Sequence, residues 1–355
     1  MKTQLKRLLS LVMAWTLIAA VATGCGTGNT SSTPANNSGG HSGDTSGSAA
    51  DPIVIKFAHS VSSDSHYHVG AEKFKELVEE RTNGAIRVDI YPSAQLGAER
   101  EVFEAMSLGN VEMCIGIDSV LAQSFGHDEY NMLLMPFLTG NTTQLYGLWD
   151  SDLVKNMFEA SKADNIEVLT TYNNGYRNLS NSVRPINSID DVKGLKVRTP
   201  ESSLYIDTWN ALGAAPSSLA WSEVYSALQT GVMDGQEAPT MVFYTDGIYE
   251  TQKYVAMLNY MNDPLLVCVS TKFMESLPEE YQTIIREAAV ESATVEREYH
   301  DATLDSIIQT LQDEHGLEFT YPDLAPFQNA LQPVYGSFEH TELLQDAQAL
   351  IKTFQ

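Results

Sequence analysis

The chain has 355 residues, 43% of them hydrophobic, and carries 21 lysines and arginines against 46 aspartates and glutamates, a formal net charge of −25. That balance excludes a nucleic-acid binder, which needs a basic face to release counterions, and a surface held electrostatically on anionic lipid. Three cysteines are too few for a disulfide-stapled scaffold or a four-thiolate zinc site, which leaves a soluble, acidic protein long enough for two domains.

The N-terminus has the pattern of an export signal. Lys2, Lys6 and Arg7 precede an apolar run from Leu8 to Val21, which is short of the ~20 residues that span a bilayer as a helix. The run ends in Ala22-Thr23-Gly24-Cys25, which resembles the bacterial lipobox, whose cysteine is lipidated and becomes the first mature residue. Ala22 stands where leucine is commonest. The competing reading is an ordinary secretory signal with an incidental Cys25, and the segment that follows favours lipidation. From Gly26 to Asp51 there is no large apolar residue, so the segment cannot offset its ordering entropy and reads as a flexible linker. Residues 1–24 are therefore the expected signal peptide and 25–52 the lipidated cysteine and linker. The expected address is extracytoplasmic, at the outer face of the cell membrane, with the membrane contacted only through the lipid.

Ile53–Ala58 is a β-rich run. Glu72–Glu80 carries Phe74, Leu77 and Val78 at helical spacing, and Ile86, Val88 and Ile90 alternate as a strand after the Asn83-Gly84 turn. Glu99–Leu108 reads as a helix and Val111–Ile117 as a buried strand. Strand character returns at Ile166–Thr170 and Leu195–Arg198, and helical character at Ser202–Leu212 and Ser222–Thr230. Pro278–Leu311, poor in glycine, predicts one long helix or two joined end to end. Alternating strands and helices predict crossover units and a largely parallel sheet. No second linker interrupts the folded part, which predicts two lobes sharing crossing segments. Cys114 and Cys268 both lie in apolar runs and read as free, buried thiols, although export would permit a disulfide between them.

The usual chemistry-bearing motifs are missing. There is no G-x-x-x-x-G-K-[ST] loop, no H-E-x-x-H and no G-x-S-x-G, so neither an enzyme, a cofactor nor a metal is expected. His66-x-His68 reads as two exposed histidines at a helix start rather than a metal site. Two arginines stand out instead: Arg177 after Asn173-Asn174-Gly175-Tyr176, and Arg198 at the end of Gly194-Leu195-Lys196-Val197, before Thr199-Pro200. An arginine's planar fork matches a carboxylate with two parallel hydrogen bonds, and strand ends are where α/β sheets bind ligands. At ~4 Å the attraction is about 4 kcal/mol at an effective dielectric of ~20, and distant like charges are screened beyond ~8 Å. Local arginines can therefore bind an anion despite the acidic whole.

At these residues the chain resembles a known family. Tyr172–Arg177, Arg184-Pro185-Ile186, Asp191–Arg198 and Ser222–Glu237, with Thr82-Asn83-Gly84, Tyr91-Pro92-Ser93, Gln95-Leu96-Gly97 and Glu99-Arg100 upstream in the same order, are similar to the solute-binding proteins of TRAP transporters (tripartite ATP-independent periplasmic transporters, the DctP family). The resemblance runs from about Ile53 to the C-terminus. It implies an α/β, two-lobe periplasmic-binding-protein fold with mixed or parallel sheets and a long helix spanning both lobes. Lobe I is expected at 53–174 with about 263–302, and lobe II at 175–262 with about 303–355. It also implies a receptor that captures an organic acid anion and delivers it to membrane subunits.

By the same resemblance Arg198 is the principal carboxylate anchor and Arg177 the second anion contact. Trp221 falls where the family places an aromatic against the ligand, with a plain core tryptophan as the alternative. Glu99 is a candidate acceptor for ligand hydroxyls, and Glu101 and Glu104 read as solvated helix face. His59 and Ser60 resemble the family's N-terminal contact position. Asn174 belongs to the ligand-binding set, and Glu201 is either a ligand contact or a helix-start carboxylate. The family often reads Gly-Gln-Glu-Asn-Pro where this chain has Gly235-Gln236-Glu237-Ala238-Pro239, and Ala238 offers no side-chain hydrogen bond. A hexuronate or related sugar acid is the expected ligand, with a C4-dicarboxylate as the alternative within the family and a secreted enzyme acting on acidic sugars as the alternative outside it.

Overall fold

The computed structural model describes residues 51–354. The expected signal peptide, Cys25 and nearly all of the linker lie outside the described residues. Ten strands form the sheet: β1 (Ile53–Ala58), β2 (Ile86–Tyr91), β3 (Met113–Ile117), β4 (Ile166–Asn181), β5 (Lys196–Thr199), β6 (Ala215–Ser218), β7 (Gly235–Pro239), β8 (Tyr254–Ala256), β9 (Asn262–Ser270) and β10 (Glu318–Thr320). Their order is β2-β1-β3-β9-β4-β7-β5-β6, with β8 on β4 and β10 on β8.

The outer pairs β1/β2, β1/β3, β5/β6 and β5/β7 are parallel, as the strand–helix alternation predicts. The centre is not. β9 runs antiparallel to β3 and β4, and β4 antiparallel to β7 and β8. The expectation of a largely parallel sheet is therefore corrected to a mixed one. β4 is reached from β3 by a long excursion through several helices, and β9 follows β8 after the short loop 257–261, so neither comes by a single crossover helix, which frees them from the parallel rule.

β4 is the strand that joins the two halves of the sheet. Its first part, through Tyr176, pairs with β9, and its last five residues pair with β7. The β4–β9 register shifts between Asn173 and Tyr176. Gly175 sits in that break at φ +98°, and a Cβ there would lie 2.7 Å from His300 Nε2. Only glycine accommodates both demands.

The long C-terminal stretch is one helix, Glu279–Asp313, about 52 Å from end to end at 1.5 Å per residue. Ile285, Ala288, Ala289 and Ala293 bury in the larger core, whereas Ile307 and Leu311 bury in a second core with Val224, Leu228, Met241, Phe243 and Val255. The helix therefore runs along both halves. The final helix, Thr341–Ile351, packs on the helix Thr142–Trp149 and adds Leu344 and Ala347 to the larger core. Cys114 and Cys268 are free, buried and opposite one another in the β3–β9 register.

One local expectation fails. The first helix does begin at His66, with Ser65 as its N-cap, but the two histidines are not both exposed. His66 turns into the interior, with its ring edge-on at 5.4 Å from His300, so only His68 of the pair retains solvent access. Glu101 and Glu104 are exposed as expected. Among the described residues, no helix is long and apolar enough to cross a membrane.

Candidate functional site

A cleft with about 500 Å³ of free space, part of it open to solvent, lies between the two halves of the sheet, and it collects Ser60, Glu99, Asn174, Arg177, Arg198, Glu201, Trp221 and Ala238. These arrive from the ends of β1, β5 and β7, from the middle of β4 at its register break, and from the first residues of the helices Glu99–Ser107 and Trp221–Gln229. Eight of the nine residues singled out from sequence therefore meet in one place. The ninth, His59, does not line it. Just past the end of β1, Ser60 reaches the cleft, while His59 lines a small cavity behind it and bonds His68 (Nε2 to Nδ1, 3.1 Å). Burial and the neighbouring His68 push its pKa down to about 3.

Arg177 lies on the cleft wall with every guanidinium nitrogen engaged. Its Nε donates to Glu237 Oε2 at 2.6 Å, Nη2 to Glu237 Oε1 at 2.9 Å and to the Glu237 carbonyl at 3.0 Å, and Nη1 to both oxygens of Asp263 at 3.2 and 3.0 Å. The carboxylates are tied down in turn: Tyr260 donates to Glu237, while Tyr205 and Asn174 donate to Asp263. Two buried carboxylates answer one buried cation, with the remaining oxygens satisfied by neutral donors, which is the condition under which buried charges persist. The expected role of Arg177 as second anion contact is thus opposed by the absence of a donor left to give.

Arg198 is equally buried and differently placed. Nε and Nη2 both donate to the Leu219 carbonyl at 3.0 and 2.6 Å, and Nη1 has no hydrogen-bond partner among the described residues. No carboxylate lies within ion-pair distance among the described residues. Burial lowers its pKa to about 10. A carbonyl satisfies an N–H but does not neutralise the charge, so this guanidinium is set to receive an anion.

Trp221 lies beneath it, its ring 5.4 Å from the Arg198 guanidinium carbon. The indole N–H donates to Asp246 at 2.5 Å, and the other Asp246 oxygen accepts the Ser62 N–H at 2.9 Å. The tryptophan is thus neither free ligand cover nor plain core. It packs against the anchor and links it through Asp246 to the chain just after β1.

Glu99 faces the cleft from the other half, with one carboxyl oxygen accepting the Ile117 N–H. Burial raises its pKa to about 8. Glu201 lines the cleft and pairs with Arg100 at 3.4 Å, so it retains an ion partner whether or not a ligand is present. Ala238 is buried on β7 opposite Asn178, and its methyl leaves the cleft floor without a donor.

Sequence reading missed Tyr67, Glu237, Asp246 and Asp263. Tyr67 lines the cleft and donates to Asn174 at 2.9 Å. Asp263 left a trace: it is a lone charge at the head of an apolar run, and such a charge is buried only when paired. Among the described residues, no group of three or more His, Cys, Asp and Glu side chains is placed to hold a metal ion.

Residues 57–341 match the family described as bacterial extracellular solute-binding protein, family 7. The chain belongs to this family. It is similar to the C4-dicarboxylate-binding periplasmic protein DctP of Rhodobacter capsulatus, with 33% identity covering 81% of this chain and 86% of that protein. A TRAP periplasmic solute-binding protein from Anaerococcus prevotii, solved with bound D-glucuronate, superposes with a TM-score of 0.81 at 27% identity, covering 85% of this chain and 98% of that one. Another from Haemophilus influenzae, with bound L-gulonate, gives a TM-score of 0.80 at 28% identity over 85% of this chain and all of that one. The family's members are extracytoplasmic receptors rather than enzymes, and membrane transporter subunits are the partners that the family implies. The fold is therefore the two-lobe α/β binding-protein fold.

Proposed function

We propose that this receptor captures a sugar acid bearing a single carboxylate, a hexuronate or an aldonate, and delivers it to the membrane subunits of a TRAP transporter. The observation that carries this reading is the state of Arg198, a cleft guanidinium whose Nη1 has no hydrogen-bond partner and which has no carboxylate partner among the described residues. The Ser60 and Tyr67 hydroxyls, the Asn174 amide and the Glu99 carboxyl line the same space and suit a polyhydroxylated chain or ring. Relatives solved with D-glucuronate and L-gulonate bind ligands of this chemistry.

A C4-dicarboxylate is the second reading, favoured by the identity to the Rhodobacter capsulatus protein. A second carboxylate needs a second cation, and Arg177 has already given its donors to Glu237 and Asp263. In this reading of the receptor, lobe I (53–174 with about 263–302) and lobe II (175–262 with about 303–355) close about the break at Asn173–Tyr176, excluding water from the ion pair. A lipid on Cys25 holds the body at the outer face of the membrane; Cys25→Ser should release it from the membrane fraction.

The test is a thermal-shift screen of the purified protein against uronates, aldonates, C4-dicarboxylates, 2-oxoacids and sialic acid. A ligand at 100 times its Kd stabilises the fold by about 2.7 kcal/mol, several degrees of Tm. A uronate or aldonate hit with no response to succinate or malate supports the proposal. A strong dicarboxylate shift would replace it with the second reading.

A further inference from the structure

Glu99 is the acidic group of the cleft that the ion pairs leave over. Glu237 and Asp263 hold Arg177, and Glu201 holds Arg100. Glu99 has the Ile117 N–H on one oxygen and no cationic side chain within ion-pair distance among the described residues. It shares the cleft with Arg198, whose positive charge favours a charged Glu99. Asp263 and Glu201 oppose that charge.

An organic anion seated on Arg198 removes this support twice over. It neutralises the guanidinium and brings a new negative charge into the same enclosed space, where attraction and repulsion are several-fold stronger than in water. A carboxylate left charged there would face the ligand's carboxylate, Asp263 and Glu201 with no free cation in reach.

We propose that Glu99 is a proton-binding group of this receptor, present in the complex as the neutral acid, so that anion capture takes a proton from solvent wherever the free receptor has lost it, and the Glu99 O–H donates to an acceptor oxygen of the ligand. The proposal rests on the reading of Arg198 as carboxylate anchor. It reverses the acceptor role that the resemblance implied for Glu99.

The surrounding titratable groups do not compete for that proton near neutral pH. His59 shares a small rear cavity with Glu99, and burial with the His68 neighbour keeps it neutral. Burial also pushes the Tyr67 phenol, the Cys114 thiol and the Asp118 carboxyl upward, towards their protonated forms. The charged neighbours are Arg198 itself, Glu201 held by Arg100, and Asp263 held by Arg177. Burial places the free receptor's Glu99 at about 8, inside the range where uptake can be read. Because the bound state holds the proton more tightly, affinity falls as pH rises through that value. If Glu99 stays protonated in the complex, Kd rises about 30-fold between pH 7 and 9.5, with proton uptake of ~0.5 per anion at pH 8.

The experiment is calorimetric titration of the wild-type protein with D-glucuronate and D-galactonate, at pH 7, 8 and 9.5, in buffers of different ionisation enthalpy. The dependence of the observed heat on buffer gives the number of protons taken up. The expected result is negligible uptake at pH 7, about half a proton at pH 8 and nearly one at pH 9.5, and in Glu99→Gln no uptake and a flat pH profile. Binding with no buffer dependence overturns the proposal and leaves the Arg198 reading intact. Uptake that persists in Glu99→Gln overturns it as well, by assigning the proton elsewhere. The absence of binding by either acid at every pH removes the anchor reading, and this inference falls with it.

Discussion

Arg177 and Arg198 are both 3% exposed and face the same cleft, and their surroundings could hardly differ more. Around Arg177, two carboxylates, a backbone carbonyl, two tyrosine hydroxyls and an amide form a closed network in which every guanidinium nitrogen is engaged. Around Arg198 there is one carbonyl, the face of an indole and open space. A satisfied buried network holds backbone in place: Glu237 is on β7, Asp263 on β9 and Arg177 on β4, so this one tracks the strands that meet where the sheet changes hands. An unsatisfied buried cation is costly to keep, and the cost is recovered only when an anion arrives. Identical side chains thus divide into a strut and a receptor according to what surrounds them.

Substitutions can break that contrast, beginning with the largest expected effect. Arg177→Ala strands Glu237 and Asp263 without a cation in the interior, and should lower the unfolding free energy by about 3–5 kcal/mol in urea titrations. A loss below ~1 kcal/mol would show that the network is not the strut described. Tyr260→Phe removes the hydroxyl that donates to Glu237 at 2.5 Å and accepts from the Trp209 indole at 3.2 Å. A hydrogen bond to a charged group is worth about 1.5–3 kcal/mol, which is the expected loss of stability in the same assay.

Glu99→Gln bears on pH. A carboxyl whose folded pKa is raised binds more protons folded than unfolded, so its contribution favours folding below the unfolded value and is lost as pH rises towards the folded value of about 8. The stability of Glu99→Gln relative to wild type should therefore improve by about 3–4 kcal/mol between pH 5 and pH 8. A constant difference across that window would contradict the raised pKa. The smallest effect is expected on the receptor side. Arg198→Met keeps the stem's volume and removes an unpaired buried charge, so stability should change by less than about 1 kcal/mol.

Much of the strand and helix content was legible because it is local. The alternation Ile86, Val88, Ile90 and the glycine-poor stretch that becomes Glu279–Asp313 need no distant partner to be read. The antiparallel centre was not legible, since nothing local tells β9 which neighbour it will have. At the site, the family motifs delivered Arg198, Glu99 and Trp221 to one cleft. The motifs could not separate the two arginines: Arg177's partners Glu237 and Asp263 lie 60 and 86 residues away, and only the fold brings them together. His59 and Ser60 follow the end of β1, where only the fold decides that Ser60 also reaches the main cleft while His59 lines just the small cavity behind it.

The most direct test is calorimetric titration of Arg198→Met with whichever sugar acid shifts the wild type, alongside its melting temperature. An affinity loss of at least ~100-fold, equivalent to about 2.7 kcal/mol, is expected, with the melting temperature nearly unchanged. An affinity within about threefold of wild type would place the carboxylate elsewhere in the cleft and contradict the division between the two arginines.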